Sequence, residues 1–303
     1  MASGDSPAGA RRRVRLALRR AREAQGLTQG QVAEEMEWSV SKVMRIESGE
    51  VTVSVNDLRP LLAYLGVTER AEVEDLVQAA RLSKQRQQWW DEPGFRDHMT
   101  PALRQLIQFE TEAPVVRYFY PMVVPGRLQT PEYAAAVLGA YRGVLSDEAV
   151  AARLESRARR RAELLAREKP PTILLLLDES VLRRELGGIE VLAGQLADLH
   201  RLSQQGRIVV RIVPYTVAAP LPLLGTFEIL YLAEQGIEGS GDAIIYHESD
   251  LLDEIVEDDV SIRRHLNVFE TLWVAAHDEA TSMRLLEESA KSAFASVGDR
   301  SPG

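Results

Sequence analysis

The chain has 303 residues, with 45 acidic and 36 basic side chains and a formal net charge of −9. Hydrophobic content of 45% and charged content of 27% are those of an ordinary globular protein, which excludes a mainly disordered or fibrous chain. The absence of cysteine excludes disulfides, cysteine-ligated zinc, iron–sulfur clusters and thiol nucleophiles.

The length predicts about two domains. Apolar runs such as Ile173–Leu177 fall far short of the roughly 20 residues that span a bilayer. No apolar signal core follows the N-terminal arginines, so a cytoplasmic protein is expected. The acidic total alone argues against nucleic acid, because phosphate repels carboxylate. It hides an asymmetry, however. Residues 1–49 carry nine basic and six acidic side chains, a net +3, whereas residues 89–303 carry 22 basic and 33 acidic, a net −11. A basic head precedes an acidic body.

Residues 1–10, rich in Ala, Gly, Ser and Pro, read as a disordered tail. Residues 11–83 read as an all-α domain of five short helices. The first runs from about Arg12 to Ala24, with Val14, Leu18 and Ala21 on one face, and stops at Gly26. Thr28 is placed to cap a helix from Gln29 to Met36, and Ser39 to cap one from Val40 to Glu47 that ends at Gly49. A fourth helix is expected over Val55–Leu65, and a fifth from a Thr68 cap to Leu82. Residues 84–100 are polar, contain Pro93 and Gly94 and run into Pro101, and read as a linker whose Trp89 and Trp90 dock on a neighbouring domain.

From residue 101 to 291 the pattern is that of an α/β domain with a mixed sheet. After a helix at 101–113, strands are expected at Val115–Pro121, Thr172–Leu177, Ile208–Pro214, Thr226–Leu232, Asp242–His247 and Asp253–Glu257. Helices are expected at Pro131–Leu138, Asp147–Arg167, Ile189–Gln205 and Ser261–Ala290, the last broken near His277. Residues 292–303 read as a second disordered tail.

The stretch Gly26–Gly49 has a physical logic. Two short helices joined by a tight turn pack steeply, with Leu27, Val32, Ala33, Met36, Val43 and Ile46 between them. Val40, Ser41, Lys42, Met44 and Arg45 are left on the outer face of the second helix, which suits the B-DNA major groove. Leu18–Gln29 followed by Val43-Met-Arg-Ile-Glu-Ser-Gly49 resembles the phage-repressor or XRE-type helix-turn-helix. The resemblance implies that Gln29 contacts phosphate and that Val40, Ser41 and Arg45 read bases. Lys42 and Met44 are lesser candidates, Ser39 sits at the helix start, and Arg22 with Glu47 forms a structural pair. Val40 and Ser41 stand where Gln is common, which leaves the operator open. Arg45 reaches either guanine or a phosphate.

The acidic body carries a second resemblance. Phe109–Ala113, Val124–Tyr133, Leu177–Arg184 with Gly187-Gly188, Val213-Pro214 and Gly225–Phe227 resemble the C-terminal domain of actinobacterial XRE-type regulators of the WhiJ-like, antitoxin-like group. That resemblance implies a small partner protein of the BldB-like class, and the acidic charge of the body would suit a basic one. A homodimer on double-stranded DNA is expected because one such module buries too little surface for specificity alone. Arg127 stands where that group has leucine. Partner-binding candidates are Arg127, Gln129, Asp178, Glu179, Glu248 and Asp250. Each has a plainer alternative. Gln129 lies in a turn-and-cap segment, Asp178 and Glu179 are placed to pair with Arg183 or Arg184, and the acidic stretch 242–259 makes a solvated rim, an electrostatic dock or, least, a metal site.

No HExxH, GxSxG or Walker pattern occurs, so no enzyme, cofactor or metal is expected. His247-Glu248 reads as a satisfied histidine at a strand end or as an acid–base or metal pair, and Leu186–Gly188 as a helix-end turn. The alternative to a protein partner is a small-molecule ligand held by the α/β domain. A concave apolar pocket with a few convergent polar groups would favour the ligand. An exposed apolar patch would favour the protein.

Overall fold

The computed structural model describes residues 7–83, 89–141, 143–217, 225–232, 243–248 and 253–298. The contacts divide the chain into two units, Met1–Gln88 and Trp89–Gly303.

The first unit is all helical: α1 (Pro7–Ala24), α2 (Gln29–Glu35), α3 (Val40–Ser48), α4 (Val55–Tyr64) and α5 (Arg70–Leu82). Val14, Leu18, Val32, Val43, Leu58 and Val77 lie in one buried cluster. Helix α1 begins at Pro7, inside the stretch expected as a tail. Proline suits a first helical turn and alanine favours helix. Ala10 is fully buried in the shared core, and Arg11 Nη2 donates to the Ser83 carbonyl at the end of α5. The cap of α5 is Glu69 rather than Thr68, because the Glu69 carboxylate accepts from the Glu72 amide at 2.6 Å.

The second unit contains α6 (Pro93–Arg96), α7 (Pro101–Glu110), β1 (Val115–Tyr120), α8 (Pro131–Gly139), α9 (Asp147–Ala166), β2 (Thr172–Asp178), α10 (Ile189–Gln204), β3 (Val209–Val213), β4 (Thr226–Tyr231), β5 (Ala243–Glu248), β6 (Glu254–Val256), α11 (Asp259–Ala275) and α12 (Glu279–Gly298). The sheet order is β3-β2-β1-β4-β5-β6. Strands β1, β2 and β3 are parallel and the remaining pairs antiparallel, so the sheet is mixed, as the sequence predicts. One face, carrying Phe119, Phe227, Ile229 and Ile245, packs on Ile262, Phe269 and Leu272 of α11.

Three expectations change in this unit. The second half of the expected linker is folded. Trp89–Asp91 forms a 3-10 turn, Pro93 starts α6, and Trp90, Phe95 and Met99 are buried. Trp89 Nε1 donates to Glu163 at 2.7 Å, so proline and glycine here mark short helices rather than free chain. The expected C-terminal tail continues α12 to Gly298, with Ala293 buried. The helix break does fall at His277, and it covers the edge of β3. His277 N donates to the Ile212 carbonyl at 2.9 Å, and the Ile212 amide donates to Ser282 Oγ at 3.0 Å. Finally, Gly187-Gly188 opens α10 instead of ending a helix, with Gly188 at its N-cap.

Candidate nucleic-acid interface and a polar-floored cleft

The helix-turn-helix is fixed by its caps. Thr28 and Gln31 form a reciprocal capping box on α2, and Ser39 Oγ accepts from the Lys42 amide at 3.2 Å to start α3. Gly49 ends α3 in the left-handed region. Val32 and Ala33 of α2 and Val43 and Ile46 of α3 are buried. That leaves Val40 46% and Met44 53% exposed, with Ser41 and Arg45 beside them on the open face.

Arg22 of α1 clamps α3 by donating to both Glu47 oxygens, at 2.7 and 3.0 Å. Gln29 Nε2 donates to the same carboxylate at 2.8 Å. Glu47 thus sets the position of α3 against α1 and α2, and the Gln29 side chain is oriented by it. Lys42 is held more tightly than the sequence implies, with its ammonium 3.6 Å from the Trp38 ring centroid and 3.4 Å from Asp57 Oδ2. Arg45 is exposed and enters no ion pair among the described residues. Arg19, Gln29, Ser41, Met44 and Arg45 share a concave surface of about 520 Å³.

The expected docking residues of the second unit are scattered. Arg127 is only 2% exposed, lying against Glu110, and donates to the carbonyls of Glu110 and Arg160. Gln129 is 4% exposed, donates to the Val124 carbonyl at 2.7 Å and accepts from Arg157 Nη1 at 2.8 Å. Neither belongs to a surface dock, because both side chains are buried and turned to internal partners, Arg127 through Nε and Nη2 with Nη1 left without a hydrogen bond. Asp178 caps the turn after β2 by accepting from the Ser180 amide. Glu179 pairs with Arg183 at 3.2 Å and accepts from the Tyr215 amide. Asp250 lies outside the described residues. Glu248 sits half exposed at the mouth of a cleft that Gln129 also lines. His247 and Glu248 do not form a pair. Strand alternation sends His247 to the α11 side, 4.8 Å from the His265 ring, and Glu248 to the other face.

On that other face lies a cluster that sequence reasoning missed. Tyr118, Glu228 and Tyr246 stand in register across β1, β4 and β5. Glu228 is 2% exposed and accepts from Tyr120 Oη at 2.6 Å. Burial, with the charge of Glu110 nearby, pushes its carboxyl up to about 8. Glu110 has the opposite fate. Burial alone would raise it, but Arg160, which donates to both its oxygens at 2.8 Å, and Arg127 hold it below the ordinary range. Burial raises Asp253 and lowers Arg157. A carboxylate inside the otherwise apolar strand Thr226–Tyr231 was the available signal for this cluster. Among the described residues no group of three His, Asp or Glu side chains is disposed to hold a metal ion.

A family model described as a helix-turn-helix domain matches residues 14–76. A second, described as a domain of unknown function (DUF5753), matches residues 103–288. No curated protein and no solved structure matches the chain. The first match marks a helix-turn-helix DNA-binding regulator and points away from an enzyme. Among the described residues, no helix is long and apolar enough to cross a membrane.

Proposed function

Because the chain belongs to the family of the domain of unknown function (DUF5753) and carries a helix-turn-helix domain ahead of it, we propose that it is a sequence-specific transcriptional regulator whose second domain receives the input signal. The observation that carries the first half is the capped helix α3, whose outward face is open while its inner face is locked by Glu47. Val40, Ser41 and Arg45 read base edges in the major groove, with Val40 suited to a thymine methyl. Met44 adds contact area. The amide groups at the starts of α2 and α3, at Gln29 and Ser39, face the phosphates. Lys42, already engaged by Trp38 and Asp57, is the weakest of the set. The regulator works at the nucleoid as a homodimer on a two-fold site, because one module of this size buries little surface.

The XRE-type, WhiJ-like and antitoxin-like readings offer a small basic partner protein as the input. The alternative is a small ligand. Two of the six docking candidates, Arg127 and Gln129, point inward, and a concave cleft with apolar walls and a polar floor opens beside them. Those observations favour the ligand.

The DNA assignment is tested on the full chain with a duplex selected from random sequence. Ser41→Ala combined with Arg45→Ala should weaken binding to that duplex at least about tenfold and leave the circular dichroism melt unchanged. Unaltered discrimination between selected and random duplex in a gel-shift titration sinks the assignment.

A further inference from the structure

The cleft sits where the strand connections diverge. Strands β1 and β5 end here and the antiparallel β4 begins here, so Tyr120, Glu248 and Thr226 meet at one end of the sheet. Strands β2 and β3 are added on one side of β1, and β4 to β6 on the other. Crevices outside carboxyl strand ends at such a divergence are the usual ligand sites of open sheets. The volume is about 420 Å³, within the range of small-molecule pockets. One wall, from the end of α8 and the turn that follows, is apolar and presents Val137, Leu138, Val144 and Leu145.

Helix α9 supplies Arg153 and Arg157 to the lining. Both also line an inner recess of about 20 Å³, room for about one water-sized group. The three arginines around the recess differ in what they bind. Arg160 gives two donors to Glu110. Arg157 gives Nη1 to Gln129, and its Nη2 lies 3.9 Å from Glu248. Arg153 makes no hydrogen bond and no ion pair among the described residues, and its Nε is buried. A guanidinium taken out of water without a partner is costly, and buried polar atoms are normally satisfied. Ser156 Oγ, one turn along α9 from Arg153, is a second buried atom without a partner on the same recess.

The carboxyl groups nearby do not fill that need. Glu248 accepts from Tyr120 at 3.2 Å. Asp253 accepts from Thr100 at 2.7 Å and from Tyr246. Glu228 lies against Tyr120 Oη, and burial keeps its carboxyl mostly protonated at neutral pH, so it sets no full charge against an anion. The unmet requirement of the cleft is therefore an acceptor for Arg153. A carboxylate meets it with two oxygens matched to the planar guanidinium fork.

We propose that this cleft binds a small amphipathic carboxylate, with its head on Arg153 at the recess and its apolar body along the Val137–Leu145 wall. The proposal rests on the reading of the second domain as the input domain, and narrows it to one site and one ligand class.

The test uses the full chain and three probes that differ only in the head: 4-phenylbutyrate, 4-phenylbutanol and 4-phenylbutylamine. Calorimetry and thermal shift should show the acid binding and raising Tm, with the alcohol and the amine weaker by at least about tenfold. Arg153→Met, which keeps an unbranched stem and removes the donors, should weaken the acid at least about tenfold and leave the alcohol unchanged. Its ligand-free Tm should not fall, because no internal bond is lost; a marked fall would make Arg153 a structural residue and overturn its role. Val137→Phe, which fills the apolar wall, should weaken acid and alcohol alike. If the alcohol or the amine binds as well as the acid and Val137→Phe excludes them all, the carboxylate assignment is overturned while the site stands. If no probe binds, or if binding ignores both substitutions, the site itself is overturned. The affinity for selected duplex, measured with and without the acid, reports the input reading separately. A change supports it, and an unchanged affinity with the acid bound overturns the input reading without touching the site.

Discussion

Glu228 is a carboxyl placed where water does not reach it, and the consequence is a pH-dependent stability of known sign. Its folded-state value stands near 8, above that of an unfolded chain, which is about 4.3. The folded state therefore holds the proton longer. The stability this contributes is fully present below about pH 4 and is lost as the pH rises toward 8, at no more than about 1.4 kcal/mol per pH unit. Glu110, held low by Arg160 and Arg127, acts in the reverse direction and only at lower pH. His247, held below its ordinary value by burial, opposes the trend in the lower part of the window. The readout is thus the difference between wild type and Glu228→Gln in urea unfolding at several values between about pH 5 and 8. The variant should become progressively more stable relative to wild type as the pH rises. A constant difference would show that Glu228 does not titrate there.

This residue was not legible in the sequence. Alternation in Thr226–Tyr231 places Glu228 opposite Phe227 and Ile229, but an alternating strand usually turns its polar face to water. Here both faces of β4 are covered. Arg127 was obscured for the same reason, since its partner Glu110 becomes a neighbour only after α7 and the turn before α8 come together.

At the scale of elements, the sequence carried most of the plan. The caps Thr28, Ser39, Ser54, Thr130 and Ser146 each accept a bond from the backbone amide three residues on, which makes helix starts readable locally. Where the boundary depends on contacts from far along the chain, the reading falls short. Ala10 is helical because α5 covers it, and Phe95 because Arg159 lies over its ring at 4.7 Å. The turn between β2 and α10 shows how one position is fixed by a neighbouring element. Gly187 has φ +75°, and a Cβ there would lie 2.6 Å from Ala136 Cβ on α8. Gly188, at φ +96°, has nothing within 4 Å of such a Cβ. Gly188→Ala should cost about 1–2 kcal/mol from backbone strain alone. Gly187→Ala should cost about 2–4 kcal/mol, because α8 must also shift. Urea midpoints of the two variants measure the difference, and equal losses would mean that α8 yields without cost.

At the scale of the whole molecule, the net charge of −9 is the sum of unlike parts, +3 over residues 1–49, −1 over 50–88 and −11 over 89–303. The head that carries +3 is also the part that holds α3, while the −11 body offers a duplex no electrostatic attraction. Affinity for a specific site must then come from the heads. One recognition helix with four open side chains is a small contact surface, so two copies on one duplex are expected to act together. Their half-sites should lie about 34 Å apart, one turn of about 10 base pairs, so that both helices enter the major groove from the same side. Inserting about five base pairs between the half-sites turns one to the opposite face of the duplex. Specific binding of the dimer should then fall at least about a hundredfold, while binding to each isolated half-site stays as weak as before. Fluorescence anisotropy on the two duplexes decides it. An affinity indifferent to the insertion would mean that one head suffices, and that the second copy has no part in reading DNA.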